Sequence, residues 1–75
     1  MNKKRREKIS KAVISLEEIL TLVEEILDEE QDAYDNMPEN LQSSMRAEES
    51  EEAIDTLGEA MENINSVVDA LSEIC

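Results

Sequence analysis

Apolar side chains recur at alternating intervals of four and three residues along both halves of the chain, and this heptad spacing most constrains the fold. In the first half this seam consists of Ile9, Val13, Leu16, Leu20, Val23, Leu27 and Tyr34, and Glu30 occupies the one polar position in the series. In the second half it consists of Ile54, Leu57, Met61, Ile64, Val68, Leu71 and Cys75. Such spacing is typical of amphipathic helices, so we predict an all-α fold.

A second apolar column, here called the companion column, runs beside each seam at intervals of seven residues. It consists of Ala12, Ile19, Ile26 and Ala33 in the first half and of Ala53, Ala60, Val67 and Ile74 in the second. Three apolar positions per heptad are more than one neighbouring helix covers, and Ile14 and Leu22 widen the apolar surface further. We therefore predict a homo-oligomer, a dimer or larger, in which hairpins form a helical bundle.

The segment between the two heptad halves contains the chain's only proline, Pro38. Proline disfavours the α conformation in the residue before it, so the first helix is expected to stop near Asn36. Either Ser43 or Ser44 is suited to cap the second helix. The prediction is a single helical-hairpin domain over residues 1–75, with helix one at about 3–35, a turn at 36–43 and helix two at about 44–74. So short a connection makes the helices antiparallel.

Charge is segregated along the chain. Residues 3–11 hold six positive side chains and one Glu, a net charge of +5, whereas the remainder holds Arg46 and 19 acidic residues, a net charge of −18. In an antiparallel hairpin the basic start of helix one lies beside the acidic end of helix two, whose dipole is negative there. The acidic body repels a long polyanion, so a nucleic-acid partner is not expected.

The residue inventory excludes several kinds of catalytic and metal site. The chain has no His and one Cys, which rules out Cys/His zinc sites, Ser/His/Asp triads and Glu-x-x-His di-metal sites. The acidic run at residues 28–35 lacks the spacing of a calcium loop. Consecutive acidic residues on a helix exterior are all solvated alike, so their pKa values are not separated as a catalytic acid and base require. We expect neither an enzyme nor a metal or cofactor.

The hydrophobic pattern also bears on location. No apolar run approaches the length of a membrane span. Acidic residues interrupt the segment after the basic N-terminus, unlike the apolar stretch of a signal peptide. We therefore expect a cytoplasmic protein without a membrane partner, with Cys75 as a structural or incidental thiol.

Two places in the sequence are candidates for binding a small anion. Tyr34 is the only aromatic residue and Arg46 the only cation after Lys11, and such a pair suits a nucleobase and a phosphate. The basic start contributes Lys4, Arg5 and Lys8, which an antiparallel pairing of hairpins brings to the turn of another subunit. The alternative is structural: Tyr34 closes the bundle end, and Arg46 pairs with Asp35, Glu49 or Glu30. Similarly, Gly58 either permits close approach of a helix or ligand or is simply tolerated.

The turn carries a resemblance to known proteins. Residues 35–42 (DNMPENLQ), the Ser44-x-Arg46 start of helix two and residues 51–55 (EEAID) resemble small uncharacterised helical-hairpin proteins of phages and prophages. In those proteins a second aromatic residue often follows the arginine, where this chain has Ala47. The resemblance implies a counter-defence role in the host bacterial cytoplasm.

Three functions remain open from the sequence. One is sequestration of a nucleotide immune signal, a cyclic ADP-ribose-like molecule or cyclic oligonucleotide, in pockets between subunits, as anti-Thoeris and anti-CBASS sponge proteins do. The second is inhibition by an acidic surface that mimics DNA or blocks a partner, as some anti-CRISPR proteins do. The third is a structural coiled-coil oligomer without a ligand. We favour the first hypothesis because it uses the segregated cations, Tyr34 and the extra apolar columns.

Overall fold

The fold is an antiparallel pair of long helices, seen in a computed structural model that describes residues 1–41 and 44–74. Helix α1 spans Lys3–Asp35, a single 3₁₀ turn spans Glu39–Leu41, and helix α2 spans Met45–Ser72. The described residues are helical apart from the turn and the chain ends. Helix α2 ends two residues before the predicted position. Ser43 and Cys75 lie outside the described residues.

Local signals in the sequence account for where the helices begin and end. Asn36 is the C-cap residue of α1, next to the turn that Pro38 opens, and the Leu41 amide donates to the Pro38 carbonyl at 2.9 Å. Ser44 is the N-cap of α2, and its hydroxyl accepts from the Ala47 amide at 3.4 Å. The sequence reasoning missed Asn2, whose side chain accepts from the Arg5 amide at 2.8 Å and caps α1. Asparagine is among the residues preferred at this position.

The hairpin is a rod with almost no core of its own. It measures 59 × 14 × 12 Å, and its radius of gyration of 17.2 Å exceeds the value of about 11 Å expected for a compact domain of this length. Among the described residues only Ala47 is buried, with 1 % of its surface exposed. The described seam residues are only half-buried between the helices.

Both companion columns lie on the same side of the hairpin, which we call the companion face. In each helix every companion residue immediately precedes a seam residue, so the two columns are rotated from their seams in the same sense. Because the helices run in opposite directions, equal rotations bring both columns to one face. The large side chains on this face remain exposed. They are Ile19 (48 %), Leu22 (55 %), Ile26 (42 %), Val67 (47 %) and Ile74 (41 %).

The opposite side of the hairpin, the polar face, has a different composition. A column at intervals of seven residues on this side consists of Ser10, Glu17, Glu24 and Gln31 in α1 and of Glu51, Gly58, Asn65 and Ser72 in α2. One side of the rod is therefore apolar and the other polar. A hairpin of this kind has one surface suited to water and one that is not.

Candidate functional site

The predicted basic residues lie at the open end of the hairpin, where α1 begins and α2 ends. Lys4, Arg5 and Lys8 belong to the first two turns of α1 and are exposed. Arg46 lies in the first turn of α2, beside the turn. Since the rod is 59 Å long, a single hairpin does not bring these two groups of cations together. A site that uses both needs more than one chain.

Arg46 lines an open concavity of about 380 Å³ on the companion side of the turn. The other lining residues are Glu30, Ala33, Asn36, Met37, Pro38, Leu41 and Ser50. Glu30, the one polar residue in the first seam, therefore lines the same concavity as Arg46. The volume falls within the range of small-molecule sites, but this concavity is open rather than enclosed.

Tyr34 does not share that concavity. It lines a separate one on the polar face with Gln31, Glu51, Ile54 and Asp55. Its hydroxyl donates a hydrogen bond to the Glu51 carboxylate. This bond, together with partial burial and the nearby negative charges of Glu51 and Asp35, raises the pKa of Tyr34. The predicted pairing of Tyr34 and Arg46 in one pocket is therefore not present within the hairpin.

A third open concavity, of about 460 Å³, is unsuited to an anion. It lies on the polar face, and four carboxylates line it, from Asp28, Asp55, Glu59 and Glu62. Gly58 is in the same wall, and a Cβ built on it meets no atom within 4 Å. Close helix packing within the hairpin is therefore not the reason for this glycine. Negative charge of this density repels phosphate.

Register reveals a feature that the sequence reasoning missed. Arg5 lies seven residues before Ala12, and Arg46 lies seven residues before Ala53. Each companion column therefore begins with an arginine, one at each end of the companion face. Extending the seven-residue spacing back past the apolar residues would have found this pattern.

The described part of the chain shows neither a cluster of metal ligands nor a membrane-spanning helix. Among residues 1–41 and 44–74, no group of three or more acidic, His or Cys side chains is arranged to hold a metal ion. Neither described helix contains a stretch apolar and long enough to cross a membrane.

Comparisons with known proteins add no assignment: no family model matches the chain, and neither the curated proteins nor the solved structures give a match.

Proposed function

We propose that this chain is a phage-type counter-defence protein that sequesters a nucleotide immune signal in pockets between identical subunits. The ligand is an anionic cyclic nucleotide, of the cyclic ADP-ribose or cyclic oligonucleotide class. Arg46 of one subunit and the basic start of another supply the cations, with Arg5 and Lys8 nearest the companion face. The protein acts by binding and has no catalytic residue.

The observation that supports this proposal most is the position of Arg46. It lies in a concavity that opens on the exposed apolar face, so a chain that covers this face also closes the concavity. A guanidinium in a partly desolvated pocket is well suited to bind phosphate through two hydrogen bonds. Tyr34 is a weaker candidate than its residue type suggests, because Glu51 already occupies its hydroxyl.

Calorimetry on the purified oligomer tests the proposal, with cyclic ADP-ribose isomers and cyclic dinucleotides as probes. We expect binding of at least one probe, and an affinity loss of roughly tenfold to 100-fold in Arg46→Ala, the range for losing a charged hydrogen bond. Lys11→Ala is the matched control because it also removes one positive charge, from an exposed heptad position that lies opposite the seam and away from the companion face. A folded oligomer that gives no heat with any probe refutes the function.

A second candidate function is supported by the polar face. The carboxylates of Asp28, Asp55, Glu59 and Glu62 surround one concavity there and form an acidic surface of the kind that competes with DNA for a basic protein. If the chain is such an inhibitor, Glu59→Lys with Glu62→Lys abolishes its anti-defence activity, and the unsubstituted protein binds no nucleotide. Activity that survives this double reversal excludes the polar face as the inhibitory surface.

A further inference from the structure

We infer that a second copy of this chain packs on the companion face with its turn at the opposite end of the rod. The inference rests on the assembly that the proposed function requires, but not on its ligand. Four observations carry it: the exposed area, the apolar composition of one face, the charges at its two ends and the sizes of its side chains.

The exposed area is sufficient for a stable interface. The hairpin exposes 5792 Å², whereas a compact monomer of this mass exposes about 4,700 Å². The excess of roughly 1,100 Å² is comparable with the roughly 800 Å² that each partner buries in a typical stable complex. Only the companion face offers an apolar surface on both helices, so this face is where a second chain removes most apolar area from water.

The companion face is basic at the open end, and near the turn it is acidic overall because Glu29 and Glu49 flank its columns there against the single Arg46. Lys8 lies four residues before Ala12, and Glu49 lies four residues before Ala53, so both flank companion columns at opposite ends of the rod. Placing the turns at opposite ends sets the basic end of each copy against the acidic end of the other. Placing them at the same end would set like charges against each other, which is unfavourable.

Side-chain size favours the same orientation. The Tyr34–Glu51 hydrogen bond fixes the register of the two helices, so that companion residues form four layers across the face. From the open end they are Ala12 with Ile74, Ile19 with Val67, Ile26 with Ala60, and Ala33 with Ala53. With turns at opposite ends, the alanine layer meets a layer containing Ile74. With turns at the same end it meets itself and leaves space unfilled, which costs stability.

This arrangement has a consequence for ligand binding. When the turn-end layer of each copy lies on the open-end layer of the other, Arg5 of one copy lies level with Arg46 of the other. Two guanidinium groups repel unless an anion lies between them. The dimer therefore has two equivalent anion sites, one at each end, each containing Arg5 and Lys8 from one chain and Arg46 from the other. Tyr34, on the polar face, lies outside both.

Fluorescence transfer between singly labelled chains tests the orientation. Labels are placed at Ser72→Cys, near the open end, and at Asn40→Cys, in the turn, each in a Cys75→Ser background. Both positions are exposed. Mixed donor-Ser72 and acceptor-Asn40 chains should give efficient transfer across about 25 Å or less, while Asn40-to-Asn40 pairs should lie about 50 Å apart, from the helical rise over the rod.

Matched isoleucine variants test the face. Ile14 and Ile19 are both exposed residues of α1, but only Ile19 belongs to a companion column. Ile19→Glu should raise the dimer dissociation constant by roughly 100-fold, because it places a carboxylate in the interface. Ile14→Glu should change the constant by less than about threefold, as expected for a surface site.

The outcomes separate the inference from the proposed function. A monomer at about 100 μM, efficient transfer between Asn40-labelled chains, or equal effects of the two isoleucine variants overturns the inference. A larger assembly supports it only if the same two distances recur, and overturns it otherwise. A dimer with opposite turns that binds no nucleotide refutes the proposed function and leaves the inference standing.

Discussion

The Tyr34 hydroxyl donates a hydrogen bond to the Glu51 carboxylate, and through it the chain's only aromatic ring joins the two helices beside the turn. Residue type alone made Tyr34 a candidate for stacking on a base. In the hairpin its hydroxyl is instead bonded to Glu51, near the negative charge of Asp35. Arg46, one heptad before the companion residue Ala53, lines a concavity that opens on the companion face.

The surroundings of Tyr34 predict a raised pKa for its hydroxyl. Glu51 accepts the hydroxyl hydrogen bond and adds negative charge, so the neutral phenol is favoured and the pKa lies above the usual value of about 10. The bond's contribution to folding is present below pH 10 and is lost as pH rises through the raised pKa. Absorbance at 295 nm reports on this residue alone. Glu51→Gln should lower the midpoint, and an unchanged midpoint would contradict the assigned cause.

Each helix begins at a side-chain cap, Asn2 in α1 and Ser44 in α2, and its length is set by the uninterrupted heptads. Neither helix is stabilised by a core within the hairpin, since the described seam residues stay half-exposed. Most of the stability of a helix in a protein comes from packing its apolar face. Gly58 illustrates this lack of packing, because a Cβ built on it meets no neighbouring atom within 4 Å.

Substitution of Gly58 tests whether the polar face is free. Gly58→Ala should stabilise the protein by about 1 kcal/mol, since alanine has the higher helix propensity and its Cβ meets no neighbouring atom. Urea unfolding measures the change. The matched control, Ala60→Gly, should lower the stability of the protein to urea. If Gly58→Ala destabilises the protein or disrupts its assembly, another chain or a ligand packs against the polar face.

For the whole molecule, the ratio of surface to core is the dominant property. A rod with one buried residue among those described gains little from folding alone against a conformational cost of roughly 1.5 kcal/mol per residue. The net charge of −13 adds repulsion within and between chains. The single hairpin therefore has little stability of its own, and a chain that covered the companion face would add to it.

Thermal unfolding should consequently depend on protein concentration. When folding is coupled to association, the midpoint Tm rises with concentration by mass action, so melts followed by circular dichroism at about 2 and 200 μM should differ by several degrees. Ile19→Glu should remove most of the dependence, whereas Ile14→Glu should retain it. A Tm that is constant over this range would show that one hairpin is stable by itself.

Much of the fold could be predicted from the sequence because it depends on local pattern: heptads specify helices, Pro38 ends the first, and a short connection makes them antiparallel. The excess of apolar columns was also evident from spacing. The side of the rod that each candidate occupies depends instead on how the two helices pack, which separates Tyr34 from Arg46 and brings both companion columns to one face. The physical reason is that spacing along a helix fixes an angle about its own axis, whereas a shared site depends on how two axes are placed against each other.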